Sequence, residues 1–122
     1  KRPRAMMMLT YWDDCMKLSE KKCVPCEGGV PPLGADAIGE LLSQLPDWTV
    51  IHDHHLEQTF TFDDFASALE FVNRAGQVCE DEFHHADFEL GWGRVNIKIW
   101  THKIDGLTES DFVLAAKISE VA

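Results

Sequence analysis

The clearest pattern in the chain is a strict alternation near its end. Val95, Ile97, Ile99 and Thr101 interleave with Asn96, Lys98, Trp100 and His102. A period of two sends one set to each face of an extended chain, so 94–102 predicts a β-strand with one apolar face. Leu56, Gln58, Phe60 and Phe62 alternate with Glu57, Thr59 and Thr61 in the same way, which predicts a strand over 56–62. A short strand at 48–51 precedes it, and the polar run His52-Asp53-His54-His55 makes the turn between them. Residues 88–92 predict a fourth strand, with Gly91 and Gly93 permitting a tight turn into Arg94.

Between these segments the period changes to that of a helix. Ile38, Leu41, Leu42 and Leu45 form one stripe of a helix from Ala35 to about Leu45, which Pro46 stops. Phe65, Ala68, Leu69, Val72, Ala75, Gly76 and Cys79 form a longer stripe, capped by Asp63 or Asp64 and ending near Asp81 or Glu82. Thr108 opens a last helix carrying Phe112, Ala115, Ala116 and Ile118. The order α-β-β-α-β-β-α, with strands in pairs, predicts an α+β fold: a four-stranded antiparallel sheet with helices packed on one face.

Residues 1–33 differ. They hold three of the four Cys and four of the five Pro, show no sustained period, and end in the turn formers of Glu27–Leu33. They read as an irregular arm, with one helical turn around Tyr11–Leu18, laid on a single domain over 34–122. A length of 122 residues suits one such domain. The net charge of −10 argues against direct nucleic-acid contact, which needs a surplus of Lys and Arg. No apolar run approaches the roughly 20 residues that span a bilayer. Met6-Met7-Met8-Leu9 is too short for a secretory leader, although a start at Lys1 leaves an organellar address open. Four Cys in a chain with enough core to fold unaided point to free thiols and a reducing compartment, the cytoplasm.

Candidate chemistry centres on His84, His85 and His102, because imidazole can act as acid or base near neutrality. Adjacent His84 and His85 point in different directions where the long helix ends. Glu80, one helical turn before His84, can hydrogen-bond an imidazole, and Asp111 follows Thr108 at capping-box spacing. The His52–His55 run is expected in an exposed hairpin loop without function. Cys23-x-x-Cys26 is half of a zinc-ribbon pattern and lacks a second pair. Trp48, Phe88, Trp92 and Trp100 are core or sheet-face aromatics by default, though one can stack on a flat heterocycle.

The spacing is specific. Glu80-x3-His84-His85, six residues to Trp92, nine to His102 and eight to Asp111 resemble the signature of pterin-4a-carbinolamine dehydratases. The flanking Phe60-x-Phe62-x-Asp64-Phe65-x-x-Ala68-x-x-Phe71 and Gly106-Leu107-Thr108 are similar to family members, and the resemblance covers about residues 37–121. Ala86 departs from it, standing where the family usually has Pro. The Lys22-Cys23-Val24-Pro25-Cys26-Glu27-Gly28-Gly29 stretch resembles the N-terminal extension of a plant-like and protist subgroup. The resemblance implies that a 4a-hydroxytetrahydropterin loses water to give the quinonoid dihydropterin, in tetrahydrobiopterin recycling, with no metal and no organic cofactor. His84 and His102 are then the acid/base pair, which of them is the acid staying open. His85 binds the pterin, Glu80 and Asp111 support the pocket, and Phe88 or Trp92 stacks. Implied partners are the pterin itself and a second copy of the chain in a homodimer or homotetramer. The family also implies a transcription factor that uses a helix face; here that is the stripe from Phe65 to Cys79. A metal-dependent hydrolase built on the histidines is the rival enzyme.

Overall fold

A computed structural model describes residues 17–24 and 28–122. Helix α1 (Ala35–Leu42) is followed by strands β1 (Thr49–Ile51) and β2 (His55–Thr61), and then helix α2 (Phe65–Glu82). Strands β3 (Asp87–Gly91) and β4 (Arg94–Ile99) lead to helix α3 (Glu109–Glu120). The strands pair antiparallel in the order β1-β2-β4-β3, so the two strands with the clearest alternation lie at the centre of the sheet. Leu56 pairs with Ile99, Gln58 with Ile97 and Phe60 with Val95. This register puts the apolar rows of β2 and β4 on one face, where the helices cover them. On the other face Asn96 Nδ2 donates to Glu57 and Thr59 at 3.0 and 2.8 Å. The α+β order read from the periodicity is the order observed.

Some boundaries move. The first helix ends at Leu42, and Leu45 reaches the core from the turns that follow. The last strand stops at Ile99, three residues short of His102. Asp64 caps α2, accepting the Ser67 N–H at 2.8 Å.

Helix α2 shows a larger difference. Its buried seam is Ala68, Phe71, Ala75 and Cys79, whereas Phe65 and Leu69 are 44% and 41% exposed. Two neighbouring seams share one helical period, so periodicity does not say which faces inward. Size does. Ala68, Ala75 and Cys79 let the helix approach closely, and Phe71 fills the space they leave, its ring 4.6 Å from that of Phe60 and 5.3 Å from that of Phe62.

Helix α3 is buried almost all round: every residue from Ser110 to Ala116 is buried. The sheet and the other helices take one side, and the arm takes the other. Leu18, in a 3-10 turn at Leu18–Glu20, joins the core against α3. The predicted helical turn at Tyr11–Leu18 lies almost wholly outside the described residues, as does Cys26. Val24 N–H donates to Ser110 Oγ at 2.7 Å, Ser110 Oγ donates to the Val24 carbonyl at 3.2 Å, and Cys23 N–H donates to Glu82 Oε1 at 3.0 Å. Burial, and then the Glu82 carboxylate, push the Cys23 thiol up to about 12, so it stays protonated and donates to the Ser110 carbonyl. Burial would raise the Glu82 carboxyl too, but the Cys23 N–H and the Lys117 and Lys22 ammonium groups outweigh it and hold that carboxyl low.

Phe71→Ala is expected to lower unfolding free energy by about 3–5 kcal/mol, because the fully buried ring leaves a cavity between helix and sheet. Urea titration of the two proteins measures it.

Candidate active site

The site forms where α2 ends. Phe83 takes a left-handed conformation (φ +54°), which closes the helix and turns the next two side chains out of its line. His84 Nε2 then lies 2.6 Å from Asp111 Oδ1, while His85 Nε2 lies 2.6 Å from Glu80 Oε2. Glu80 therefore partners His85 and not His84, which helical spacing had suggested. The reversal of the backbone at Phe83 carries His84 inward and brings His85 back over the last turn.

Asp111 is fully buried. A lone carboxylate there would be costly, and its second oxygen is accordingly satisfied. Oδ2 accepts the Thr108 N–H at 2.8 Å and the Thr101 hydroxyl at 2.8 Å. The capping box expected from Thr108-x-x-Asp111 is present, and the same side chain also reaches His84. With the carboxylate ionised, His84 keeps its proton on Nε2, and Nδ1 is the nitrogen left for other chemistry. His85 is tied through the same nitrogen, but its pair with Glu80 is exposed and weaker for that reason.

The third ring comes from the segment after β4, at the same end of the sheet, since Asp87 at the start of β3 pairs with Lys98 near the end of β4. After β4 the chain makes a 3-10 turn at His102–Ile104, closed by a Thr101–Gly106 bridge. Gly106 is required there, since a Cβ would stand 2.7 Å from Pro32. His102 projects from this turn with its ring edge-on to Trp100, centroids 4.3 Å apart. Phe83, His84, His85, Trp100 and His102 line an open cleft of about 310 Å³, with Asp87, Thr101 and Lys103 completing it.

The cleft thus gathers His84, His85 and His102, with Glu80 and Asp111 behind two of them. Phe88 and Trp92 are elsewhere: Phe88 packs half-buried against the core, and Trp92 is 73% exposed in the turn between β3 and β4. The aromatic residues lining the cleft, besides the imidazoles, are Phe83 and Trp100. Thr101 escaped the sequence reading because it continues the apolar row of β4; a hydroxyl in such a row was the available signal. The turn histidine His54 also approaches, its ring 5.2 Å from Trp100. Among the described residues no three His, Cys, Asp or Glu side chains gather in metal-binding geometry, so the metal-hydrolase reading finds no ligand set there.

Three imidazoles thus line one cleft on a small α+β scaffold, two of them hydrogen-bonded to carboxylates. The profile of the pterin 4 alpha carbinolamine dehydratase family matches residues 31–121, and the chain belongs to that family. It is a hydro-lyase by that membership. A Rubrobacter xylanophilus relative that carries the family's name is 54% identical over 105 residues, covering 86% of this chain and 98% of its own. One from Alkaliphilus metalliredigens is 55% identical over 84% of this chain and 94% of its own. The crystal structure of a Brucella melitensis transcriptional coactivator/pterin dehydratase superposes with a TM-score of 0.70 at 28% identity, over 75% of this chain and 98% of that one. Among the described residues no helix is long and apolar enough to cross a membrane.

Asp111→Asn is expected to cut turnover by roughly 10²-fold, since an amide turned toward His84 reverses the ring's tautomer. Nitrogen-15 NMR of His84 reads the tautomer directly, and it should move to Nδ1–H in the variant.

Proposed function

We propose that the cleft dehydrates a pterin 4a-carbinolamine with His84 and His102 as the two proton-transfer groups and His85 as a binding group. The single observation carrying this reading is the pair of rings from distant segments facing one cleft, with the His84 tautomer set by buried Asp111. In the reaction the C4a–O bond breaks and the oxygen leaves as water after receiving a proton. The N5–H bond breaks as well, and its electron pair becomes the N5–C4a double bond. Hydroxide is a poor leaving group, so a proton must arrive as the bond lengthens. One imidazolium supplies it and one neutral imidazole takes the N5 proton, each transfer contributing about 10²–10⁴-fold. His84 suits either duty: as imidazolium it donates from Nδ1 with Asp111 balancing its charge, and when neutral it accepts there. His102 has no side-chain hydrogen bond among the described residues, so both its nitrogens are available to substrate or water. Trp100 offers the flat surface on which a bicyclic ring stacks. Tetrahydrobiopterin recycling in a reducing cytoplasm suits this chemistry and the free thiols of Cys23 and Cys79.

His84→Ala and His102→Ala are each expected to lower the dehydration rate by about 10²-fold or more while the protein stays folded. Stopped-flow assay of freshly generated 4a-hydroxytetrahydropterin measures it, and wild-type rates in both variants would remove the assignment.

By its Lys22–Gly29 stretch the chain is further proposed as a member of the plant-like and protist subgroup with a Cys-containing N-terminal extension. The chain also assembles with copies of itself. The exposed Phe65 and Leu69 of α2, one helical turn apart, form an apolar patch beside half-buried Val72, and self-association in dimers or tetramers covers it. The Brucella protein's coactivator name makes a transcription-factor partner the second reading for the same patch. Leu69→Glu is expected to reduce the sedimenting species to monomer in analytical ultracentrifugation, with the cleft unaltered.

A further inference from the structure

The turn between β1 and β2 reaches the active site from behind. Its central residues His52 and Asp53 both have positive φ (+53° and +54°), as tight hairpin turns of the primed type need, and the turn closes with His54 N–H on the Ile51 carbonyl at 2.9 Å. This directs the next side chain, His54, across the sheet end toward the loop that carries His102. His54 Nε2 lies 2.7 Å from Asp105 Oδ1. Asp105 ends the His102–Ile104 turn, itself left-handed at φ +52°, with its N–H on the His102 carbonyl at 3.2 Å. His54 also packs on Trp100, centroids 5.2 Å apart, and Trp100 in turn bears on His102 at 4.3 Å.

Among the described residues the non-glycine residues with positive φ are His52, Asp53, Phe83 and Asp105. Each costs backbone energy that the surroundings must offset, and strain of this kind persists where something holds it. Phe83 sets His84, Asp105 holds one end of the His54–Asp105 hydrogen bond, and His52 and Asp53 form the turn that leads into its other end. That bond has further support, because His54 Nδ1 lies 3.0 Å from His55 Nδ1. Burial and then the neighbouring His54 push the His55 pKa down, so His55 stays neutral and can donate to or accept from its neighbour. With His55 Nδ1–H donating, His54 Nδ1 accepts and Nε2–H is free to point at Asp105.

We propose that His54 is a positioning residue for the reaction: through Asp105 and Trp100 it holds the 101–106 loop so that the His102 imidazole faces the cleft. This rests on the acid/base part given to His102 above. The ends of this loop are anchored by the Thr101–Gly106 bridge, the Thr101 hydroxyl on Asp111 and the Leu33–Leu107 hydrogen bond, whereas its tip at His102, Lys103 and Asp105 is exposed, and the His54–Asp105 bond ties that tip to another segment of the chain. A displacement near 1 Å at an acid/base group costs as much as about 10²-fold, so a partial loosening is expected to show mainly in kcat.

The test uses His54→Ala, Asp105→Ala, Asp105→Asn and Asp105→Gly in the full chain. His54→Ala and Asp105→Ala are expected to lower kcat about tenfold with KM within twofold, and the double variant to lose no more than either single one. Asp105→Asn, which still accepts from His54, should restore most of the rate. Asp105→Gly relieves the left-handed strain but breaks the link, so it should fold well and still be slow. The ring resonances of His102, followed by NMR, should move in every variant that breaks the link and stay in place in Asp105→Asn. Unmoved His102 resonances in His54→Ala and Asp105→Gly would overturn the positioning role whatever the rates. Moved resonances with unchanged kcat would leave the anchoring standing and instead overturn the part given to His102.

Discussion

The arrangement depends on one buried carboxylate. Asp111 accepts from the first turn of its own helix, from a hydroxyl at the end of the central strand and from the His84 ring. An ionised group with no solvent exposure is tolerable only when its lone pairs are filled, and here three separate segments fill them. The same bonds that make its burial acceptable lock the α3 N-terminus, the end of β4 and the end of α2 to one another. The cleft is the gap those three ends leave.

What surrounds that point follows from the need to keep it fixed. Helix α3 cannot shift without moving Asp111, and it is enclosed on one side by the sheet and on the other by the arm. Ser110, beside Asp111, exchanges hydrogen bonds with Val24, and Glu82, two residues before His84, accepts from Cys23. The arm therefore grips residues adjacent in sequence to two members of the site. Its thiol at Cys23, kept protonated by burial and by Glu82, serves packing and donation, not nucleophilic attack.

The two sides of the cleft are held by different means. His84 is fixed from the core by a charge that water does not reach. His102 sits on an exposed turn whose shape depends on a left-handed Asp105 and on contacts from the β1–β2 hairpin. One ring of the cleft is thus tied to the core and the other to the surface. The His85–Glu80 pair is exposed, so solvent screens its bond.

Periodicity determined the element order, because alternation in β2 and β4 and the helical stripes each record which side chains leave water. Spacing also identified His84, His85, His102, Glu80 and Asp111 as the polar residues to watch, and the capping box at Thr108 was readable as such. The pairing was not. Glu80 goes to His85 because one left-handed residue, Phe83, reverses the chain, and no local pattern marks that reversal. The inward seam of α2 was decided by the fit of small residues and Phe71 against the sheet, between two stripes of equal period. That Phe83 and Trp100 line the cleft while Phe88 and Trp92 lie elsewhere, and that His54 packs on Trp100, follow from where the strand ends meet. Those meetings are contacts between segments far apart in the chain, and only the packed tertiary structure sets them.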